Sequence, residues 1–299
     1  MTLVSVVLPT RNRVAFLEEA LGSVLSQTHQ NLECLVVDGG STDGTQAYLD
    51  TVGDERVQVI RHEQPRGVSA ARNAGLEATS GEYVVFLDDD DLLYDHAIET
   101  LLETLRGQSP NCAGVYSACR VEEQSGDSYT LPVTAGVTES YLGTNIAPSG
   151  TLLRADVIEE ISGFDEAFPA CEDADFFVRI FSSYVMVGLE EPIYERREHD
   201  DHLSMDEEAM LQGHLRLLDK HGEHVSPRSR ADMLSRVAHN HARLGRVRSA
   251  RSYLRSAIRT YPWNLQDYYF YSLLLFGSAS YDLGYRVASG LYYALNPRA

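Results

Sequence analysis

Four consecutive carboxylates, Asp88-Asp89-Asp90-Asp91, follow directly on the apolar run Tyr83-Val84-Val85-Phe86-Leu87. Like charges so crowded repel, and something must offset them. A hard divalent cation would do so, because Mg²⁺ takes one or two carboxylates and completes its shell with phosphate oxygens and water. A solvated acidic turn is the plain alternative. A second segment, Val36-Val37-Asp38-Gly39-Gly40-Ser41-Thr42-Asp43-Gly44-Thr45, has small residues that let backbone approach a ligand closely. Its Asp38 can accept from a base or a ribose. It matches neither GxGxxG nor a P-loop, and a capped strand–turn–helix explains it as well. Arg72-Asn73 sit among small residues. An arginine there can clamp a phosphate or stack on a base, against the commoner exposed helical arginine. Glu172, Asp173 and Asp175 precede an apolar helical face. Acids there favour the helix dipole, or one of them serves as a general base. In Arg197-Glu198-His199-Asp200-Asp201-His202 the two histidines three apart are a weak metal signal. A polar surface loop is the simplest reading, and a His or Arg reaching a diphosphate is the functional one.

The elements that must position these residues are legible as an alternation. Val4–Leu8, Leu32–Val37, Val57–Ile60 and Tyr83–Leu87 read as buried strands. Between and after them, helices are expected over about 13–26, 43–51, 67–79 and 94–106. This β-α order is that of a mostly parallel sheet with helices on both faces. Such sheets bind ligands beyond the carboxyl ends of their strands, so chemistry is expected near Pro9, Thr10, Arg11 and Asn12, near Asp38–Ser41, and near Asp88–Asp91. Residues 107–205 are less regular, with strand-like runs at 114–117, 151–153, 185–187 and 192–194 and a helix over about 173–181. From about 205 the pattern is helical: 210–221, 230–244 and 247–261, the last ended by Pro262. The last two resemble one hairpin of the tetratricopeptide type, too few for a repeat array.

Taken together, "VSVVLPTRNR", "LVVDGGSTDGT", "GVSAARNAGLEATSGEYVVFLDDDD", "GFDEAFPACEDADFFVRI" and "YERREHDDHLS" occur in an order that resembles the family 2 glycosyltransferases. These are inverting enzymes of the GT-A fold, and the likeness covers about 1–205. The resemblance implies a GT-A (Rossmann-like) domain over 1–205, with 1–105 as the nucleotide-sugar half and 106–205 as the acceptor half. The all-helical C-terminal extension would span 206–299. It implies that Pro9, Thr10, Arg11, Asn12, Asp38, Gly39, Arg72, Asp88 and Asp89 line a nucleotide-sugar pocket. Asp88-Asp89-Asp90 would be the DxD motif, with Asp90 and Asp88 on Mg²⁺ or Mn²⁺. Asp173 would be the catalytic base, with Glu172, Asp175 and Asp91 supporting and His199 near the donor diphosphate. Gly39 stands where the family often has a second Asp that reads a uracil edge, so UDP, GDP and dTDP donors all stay open. A nucleotidyltransferase would carry a Gly-rich basic loop after its first strand, which Pro9-Thr10-Arg11-Asn12 lacks. A non-catalytic scaffold would tolerate loss of the acids that are all present.

Composition frames this reading. The 299 residues include 25 Lys+Arg and 44 Asp+Glu, for a net charge of −19, and 43% are hydrophobic. That excludes wholesale disorder and a uniformly basic nucleic-acid binder. Residues 226–299 hold 11 Arg against three Asp, a net +8, while 1–225 hold 14 basic against 41 acidic side chains, a net −27. Lys220 is the only lysine. Abundant acid with almost no lysine fits adaptation to high salt, or a coding bias toward arginine. Cys34, Cys112, Cys119 and Cys171 form no CxxC pair, so reduced thiols in a cytoplasmic protein are expected. No signal peptide is read at the start. Arginines at 243, 246, 248, 251, 255 and 259, followed by the aromatic run 268–276 and by Tyr285, Tyr292 and Tyr293, have two readings. One is a helix on the cytoplasmic face of a membrane, bringing a lipid-linked glycan acceptor. The other is a hairpin packed on the catalytic domain.

Overall fold

The structure, a computed structural model, describes residues 2–141, 144–199, 206–277, 280–281 and 283–285. The chain divides into two compact units: Met1–Glu166 with Asp173–His199, and Ala167–Glu172 with Asp200–Ala299.

The first unit is built on one mixed sheet. Its strands are β1 (Val4–Thr10), β2 (Leu32–Asp38), β3 (Val57–Arg61), β4 (Tyr83–Phe86), β5 (Asp91–Leu93), β6 (Cys112–Glu122), β7 (Ser128–Leu131), β8 (Gly136–Thr138), β9 (Thr151–Arg154) and β10 (Val185–Arg197). The order is β3-β2-β1-β4-β9-β6-β10-β5, with β7 on β6 and β8 on β10. β3, β2, β1 and β4 are parallel, and β9 is antiparallel to both β4 and β6. The helices are α1 (Val14–Leu25), α2 (Thr45–Leu49), α3 (Val68–Glu77), α4 (Ala97–Leu105), α5 (Ala155–Glu160) and α6 (Glu172–Phe181).

Alternation along β1 explains the layering. Val4, Val6 and Leu8 join a core with Leu17, Leu21 and Val24 of α1 and with Ile98, Leu101 and Leu105 of α4. Val7 faces the other way, into a core with Val157 and Ile158 of α5 and with Phe176, Phe177 and Ile180 of α6. Successive strand residues point to opposite faces, so a strand covered on both sides reads as an unbroken apolar run. All seven residues of β1 are buried. Each buried Leu contributes about 2 kcal/mol through area removed from water.

The structure differs from the sequence reading at several points. β5 occupies Asp91–Leu93, just ahead of the helix expected from about 94. The runs at 185–187 and 192–194 are one strand, β10, whose register against β6 shifts on either side of Pro192. Pro has no N–H for the ladder and tolerates such irregularities. α5, β7 and β8 were not read from the sequence.

The second unit is helical: α7 (Glu207–His221), α8 (Pro227–Arg243), α9 (Val247–Thr260) and α10 (Leu265–Leu274). Asp206 and Ser226 cap α7 and α8 with side-chain hydrogen bonds. Ala238, Ala242, Ala250, Leu254, Phe270, Leu274 and Tyr281 form its core. Among the described residues no helix is long and apolar enough to cross a membrane.

Candidate active site

Three loops leave the carboxyl ends of β1, β2 and β4 side by side. Thr10 and Asp38 end their strands in register, and the Gly39 N–H donates to the Thr10 carbonyl at 2.8 Å. Asn12, in a left-handed conformation at φ 56, ties the first loop to the second. Its N–H donates to Ser41 Oγ, and its Oδ1 accepts from the Thr42 N–H at 2.7 Å. Gly40, at φ +83, is where backbone crowds: a Cβ there would meet Gln64 C at 3.2 Å and Pro65 N at 3.3 Å. At Gly39 a Cβ would make only ordinary contact, 3.4 Å from Thr10 O. The missing side chain at 39 is therefore not a packing requirement. Arg11 is exposed, whereas Pro9 and Thr10 are buried.

Asp38 is fully buried. Its Oδ1 accepts from the Ser41 N–H at 2.8 Å, and its Oδ2 has no hydrogen-bond partner. An unmatched buried carboxylate oxygen is costly, and a ligand N–H or O–H would complete it.

The four aspartates do not form a solvated turn. Asp89, Asp90 and Asp91 are 5–7% exposed. Asp89 accepts from Thr10 Oγ1 at 2.7 Å and from Arg13 Nη1 at 3.1 Å. Burial pushes its carboxyl up to about 6, with Asp90 adding, while Thr10 and Arg13 pull the other way. Asp90 Oδ2 lies 2.8 Å from Arg13 Nη1 and 2.8 Å from His199 Nε2, and Arg197 Nε donates to the Asp90 carbonyl. Asp91, buried at the start of β5, is pushed well above the usual carboxylate range by burial and by Asp88 and Asp90. Its Oδ1 has no hydrogen-bond partner.

Asp88 accepts from Arg72 Nη2 at 2.7 Å, and its backbone N–H donates to Ser149 Oγ at 3.1 Å. Arg72 is 3% exposed, not the surface arginine its helix would suggest. The small residues around it let α3 lie close to the sheet: a Cβ on Gly75 would fall 2.4 Å from Val7 Cγ1.

The charge repulsion read from the sequence is thus partly answered within the protein by Arg13, Arg72 and Arg196, and Asp90 shares a hydrogen bond with His199. The sequence alone gives little sign of Arg13. Its partners lie 76 and 77 residues away, and only an arginine closing the "PTRNR" turn hinted at it.

Arg197 and His199 also depart from the surface-loop reading. Both side chains are 13% exposed. Phe16 of α1 carries them: the Arg197 guanidinium lies 4.8 Å from its ring centroid and the His199 ring 5.0 Å. Asp200, Asp201 and His202 fall outside the described residues.

An aromatic trio sets α6 against the strand end. Phe164 stacks on Phe176 at 4.2 Å, and both meet Phe86 edge-on at 5.3 and 6.0 Å. Phe86 is two residues before Asp88, and the Arg72 guanidinium lies 5.2 Å from the Phe164 centroid. Asp173 is one turn before Phe176 on α6. Its Oδ1 accepts from the Ala174 N–H at 2.7 Å, so it serves the helix N-terminus. Asp175, fully buried, accepts from Arg179 Nε at 2.9 Å, and Arg179 holds the carbonyls of Ile161 and Gly163. Glu172 is buried.

Among the described residues no three His, Cys, Asp or Glu side chains gather as a metal cage. The donor set does suit a hard cation held by one or two protein ligands and completed by phosphate oxygens. Asp90 and the one-third-exposed Asp88 are the carboxylates that would hold it.

Comparison with known proteins follows this geometry. The family model described as glycosyl transferase family 2 matches residues 5–161, more than half of the chain. Glycosyltransferase GlyG of Streptococcus pneumoniae is 33% identical over 129 residues, 42% of this chain and 42% of that protein. The GalNAc(5)-diNAcBac-PP-undecaprenol beta-1,3-glucosyltransferase of Campylobacter jejuni is 34% identical over 127 residues, 42% of this chain and 40% of that protein. The chain thus matches under half the length of these curated relatives. The crystal structure of S. aureus TarS 1-349 in complex with UDP-GlcNAc aligns with a TM-score of 0.66 at 18% identity, covering 98% of this chain and 92% of that one. The shared fold is the GT-A arrangement.

Proposed function

The chain belongs to glycosyl transferase family 2, and on that footing we propose that it moves a sugar from a nucleoside-diphosphate sugar to an acceptor hydroxyl with inversion. One observation carries the reading: the Asp88–Asp91 cluster, its last three acids buried, held by Arg13, Arg72 and His199 at the carboxyl end of the sheet beside the Asp38 loop. In this reading residues 1–205 are the catalytic domain, with 1–105 as the donor half and 106–205 as the acceptor half, and 206–299 are a helical extension.

Pro9, Thr10, Arg11, Asn12, Asp38, Gly39 and Arg72 line the nucleoside and phosphate side, and Asp38 Oδ2 supplies an open acceptor. Asp88 and Asp89 orient the donor, and His199 faces its diphosphate. Asp173 takes the proton from the acceptor hydroxyl. That oxygen bonds to the anomeric carbon as the bond to the diphosphate oxygen breaks on the opposite face. Glu172, Asp175 and Asp91 support from behind; Asp175 does so by holding Arg179. A Mg²⁺ or Mn²⁺ ion at Asp90 and Asp88 would neutralise charge developing on the leaving diphosphate. The Campylobacter relative, named for a lipid-linked glycan, supports an acceptor of that class in N-glycan or surface-polysaccharide assembly. The acid surplus of 1–225 reads as a salt-adapted surface.

The test is calorimetry of the protein against a panel of nucleotide sugars with and without Mn²⁺, followed by release of free nucleoside diphosphate when an acceptor is added. Metal-dependent binding of one donor, lost in Asp90→Ala, supports the reading. Pyrophosphate-linked synthesis of the nucleotide sugar points to a nucleotidyltransferase, and binding without turnover to a sensor or scaffold.

A further inference from the structure

The second unit carries a face that its own core leaves open. α10 carries apolar and aromatic side chains on two opposite faces. Phe270 and Leu274, each 1% exposed, turn into the core with Ala250, Leu254 and Tyr281. Leu265, Tyr268 and Tyr269, at helical spacings of three and four, share the opposite face. They are all exposed, Leu265 at 79%. Trp263 just before the helix is 80% exposed and Phe276 just after it 81%. Scattered surface hydrophobics need no explanation, but a row of them marks an interaction surface.

A basic stripe borders this row. α9 holds no acidic residue. Arg248, Arg251, Arg255 and Arg259 follow one another at three- and four-residue steps along one face, opposite Ala250, Leu254 and Ala257, which are fully buried. The Arg255 guanidinium donates to the Tyr271 hydroxyl at 2.9 Å and lies 5.8 Å from that ring's centroid. Arg255, with Arg251 adding, lowers the pKa of that hydroxyl. Tyr271 thereby joins the arginine stripe of α9 to the aromatic helix. Glu207 and Glu208 of α7 neutralise Arg243 and Arg246. No carboxylate pairs with Arg248 or Arg259 among the described residues.

We propose that this face docks on the surface of a bilayer containing anionic lipid. The row from Trp263 to Phe276 enters the headgroup region, and the α9 arginines meet lipid phosphates. Trp and Tyr are amphipathic rings that favour that depth, and a basic face beside an apolar one binds anionic membrane surfaces. Charge decides between occupants. The net +8 of residues 226–299 stands against −27 in the rest of the chain, so the sign inverts where apolar side chains are exposed. A second copy meeting through the same face would oppose two arginine stripes, whereas an anionic bilayer offers the opposite charge.

Sedimentation of the full chain with lipid vesicles tests this without any sugar-transfer readout, so it stands or falls apart from the catalytic reading. Vesicles of phosphatidylcholine alone are compared with vesicles in which about one third of the lipid is phosphatidylglycerol. The protein is expected to sediment with the second and not the first, and to be released as salt rises. Each arginine near such a surface contributes about 1 kcal/mol, about fivefold. R248Q/R259Q should therefore lower partitioning about 25-fold, and W263S/F276S should abolish it. Both pairs are exposed, and unchanged thermal unfolding verifies that each variant folds. Absence of binding to the anionic vesicles, or wild-type binding by both variants, overturns the proposal. It also falls if light scattering shows a dimer that W263S/F276S disperses while vesicles are ignored.

Discussion

Arg72, 3% exposed, donates to Asp88 across 2.7 Å, and so ties the middle of α3 to the first carboxylate after β4. The guanidinium also lies over Phe164. Removing it leaves Asp88 beside three other acids with its main counter-charge gone. Arg72→Ala should cost about 2–3 kcal/mol in urea unfolding, less than a fully buried pair because the Asp88 side chain is one-third exposed. Arg72→Lys keeps a charge but loses the fork and the ring contact, and should cost about 1 kcal/mol. An unchanged midpoint for Arg72→Ala would show that the pair contributes nothing.

Asp173→Asn separates chemistry from architecture. The asparagine Oδ1 can still accept from the Ala174 N–H, so α6 should keep its start. The proposed proton acceptor is lost. A positioned base contributes roughly 10²–10⁴-fold, so transfer should fall at least ~100-fold while donor binding survives. Near-normal turnover in this variant would remove Asp173 from the base role.

The alternation of strands and helices was readable because β1, β2 and β4 are buried on both faces and spell continuous apolar runs. The strand-end aspartates were readable because a buried strand seldom ends in four acids without a use for them. What escaped notice depended on distant partners. Arg13 is one more arginine in "PTRNR" until folding brings Asp89 and Asp90 to it. Arg197 and His199 look solvated until Phe16 shelters them. β5 is three residues long, below the length at which a period shows. Pro192 split β10 on paper because the bulge that absorbs it is a property of the β6 pairing. In the C-terminal helices, the +8 charge was visible at once. That Arg243 and Arg246 pair with α7, while among the described residues no carboxylate pairs with Arg248 or Arg259, emerges only on folding.

Acid should loosen the helical unit in a defined window. His239 is partly buried against Phe270 and Tyr281, and burial, then Arg236, lowers its pKa to about 4. The unfolded chain takes a proton near pH 6.5, and the folded one resists until about 4. Between those values the unfolded state holds more protons, so stability falls as pH falls, by up to about 3 kcal/mol. His239→Gln should flatten this slope in urea titrations between pH 7 and 4. An equal slope in wild type and variant would assign the acid sensitivity elsewhere.

Salt should act in the opposite sense to its usual effect on ion pairs. With −27 on residues 1–225, self-repulsion disfavours the compact state, and raising KCl from about 0.1 M to 1 M shortens the screening length from ~10 Å to ~3 Å. Exposed pairs such as Arg61–Asp50 lose only ~0–1 kcal/mol each. The melting temperature should therefore rise by several degrees. A fall would count against a salt-adapted surface.

If Asp90 holds a metal ion as proposed, Arg13 sets how strongly that ion binds without a nucleotide. Its Nη1 sits 3.1 Å from Asp89 and 2.8 Å from Asp90, and Asp90 Oδ2 also meets His199. A cation arriving without phosphates must compete with a resident arginine for Asp90. One arriving with a diphosphate brings oxygen ligands and extra negative charge for Arg13 to meet. Arg13→Ala removes the competitor and takes a fixed positive charge away from two nearly buried carboxylates. The variant should lose about 2–4 kcal/mol of stability, yet bind Mn²⁺ alone about tenfold more tightly than wild type, since the acid pair without its arginine favours a divalent ion. Calorimetry with Mn²⁺ in the absence of nucleotide reads this directly, and melting curves with and without Mn²⁺ give a second measure. Weaker Mn²⁺ binding in the variant would mean that Arg13 builds the metal site rather than guarding it.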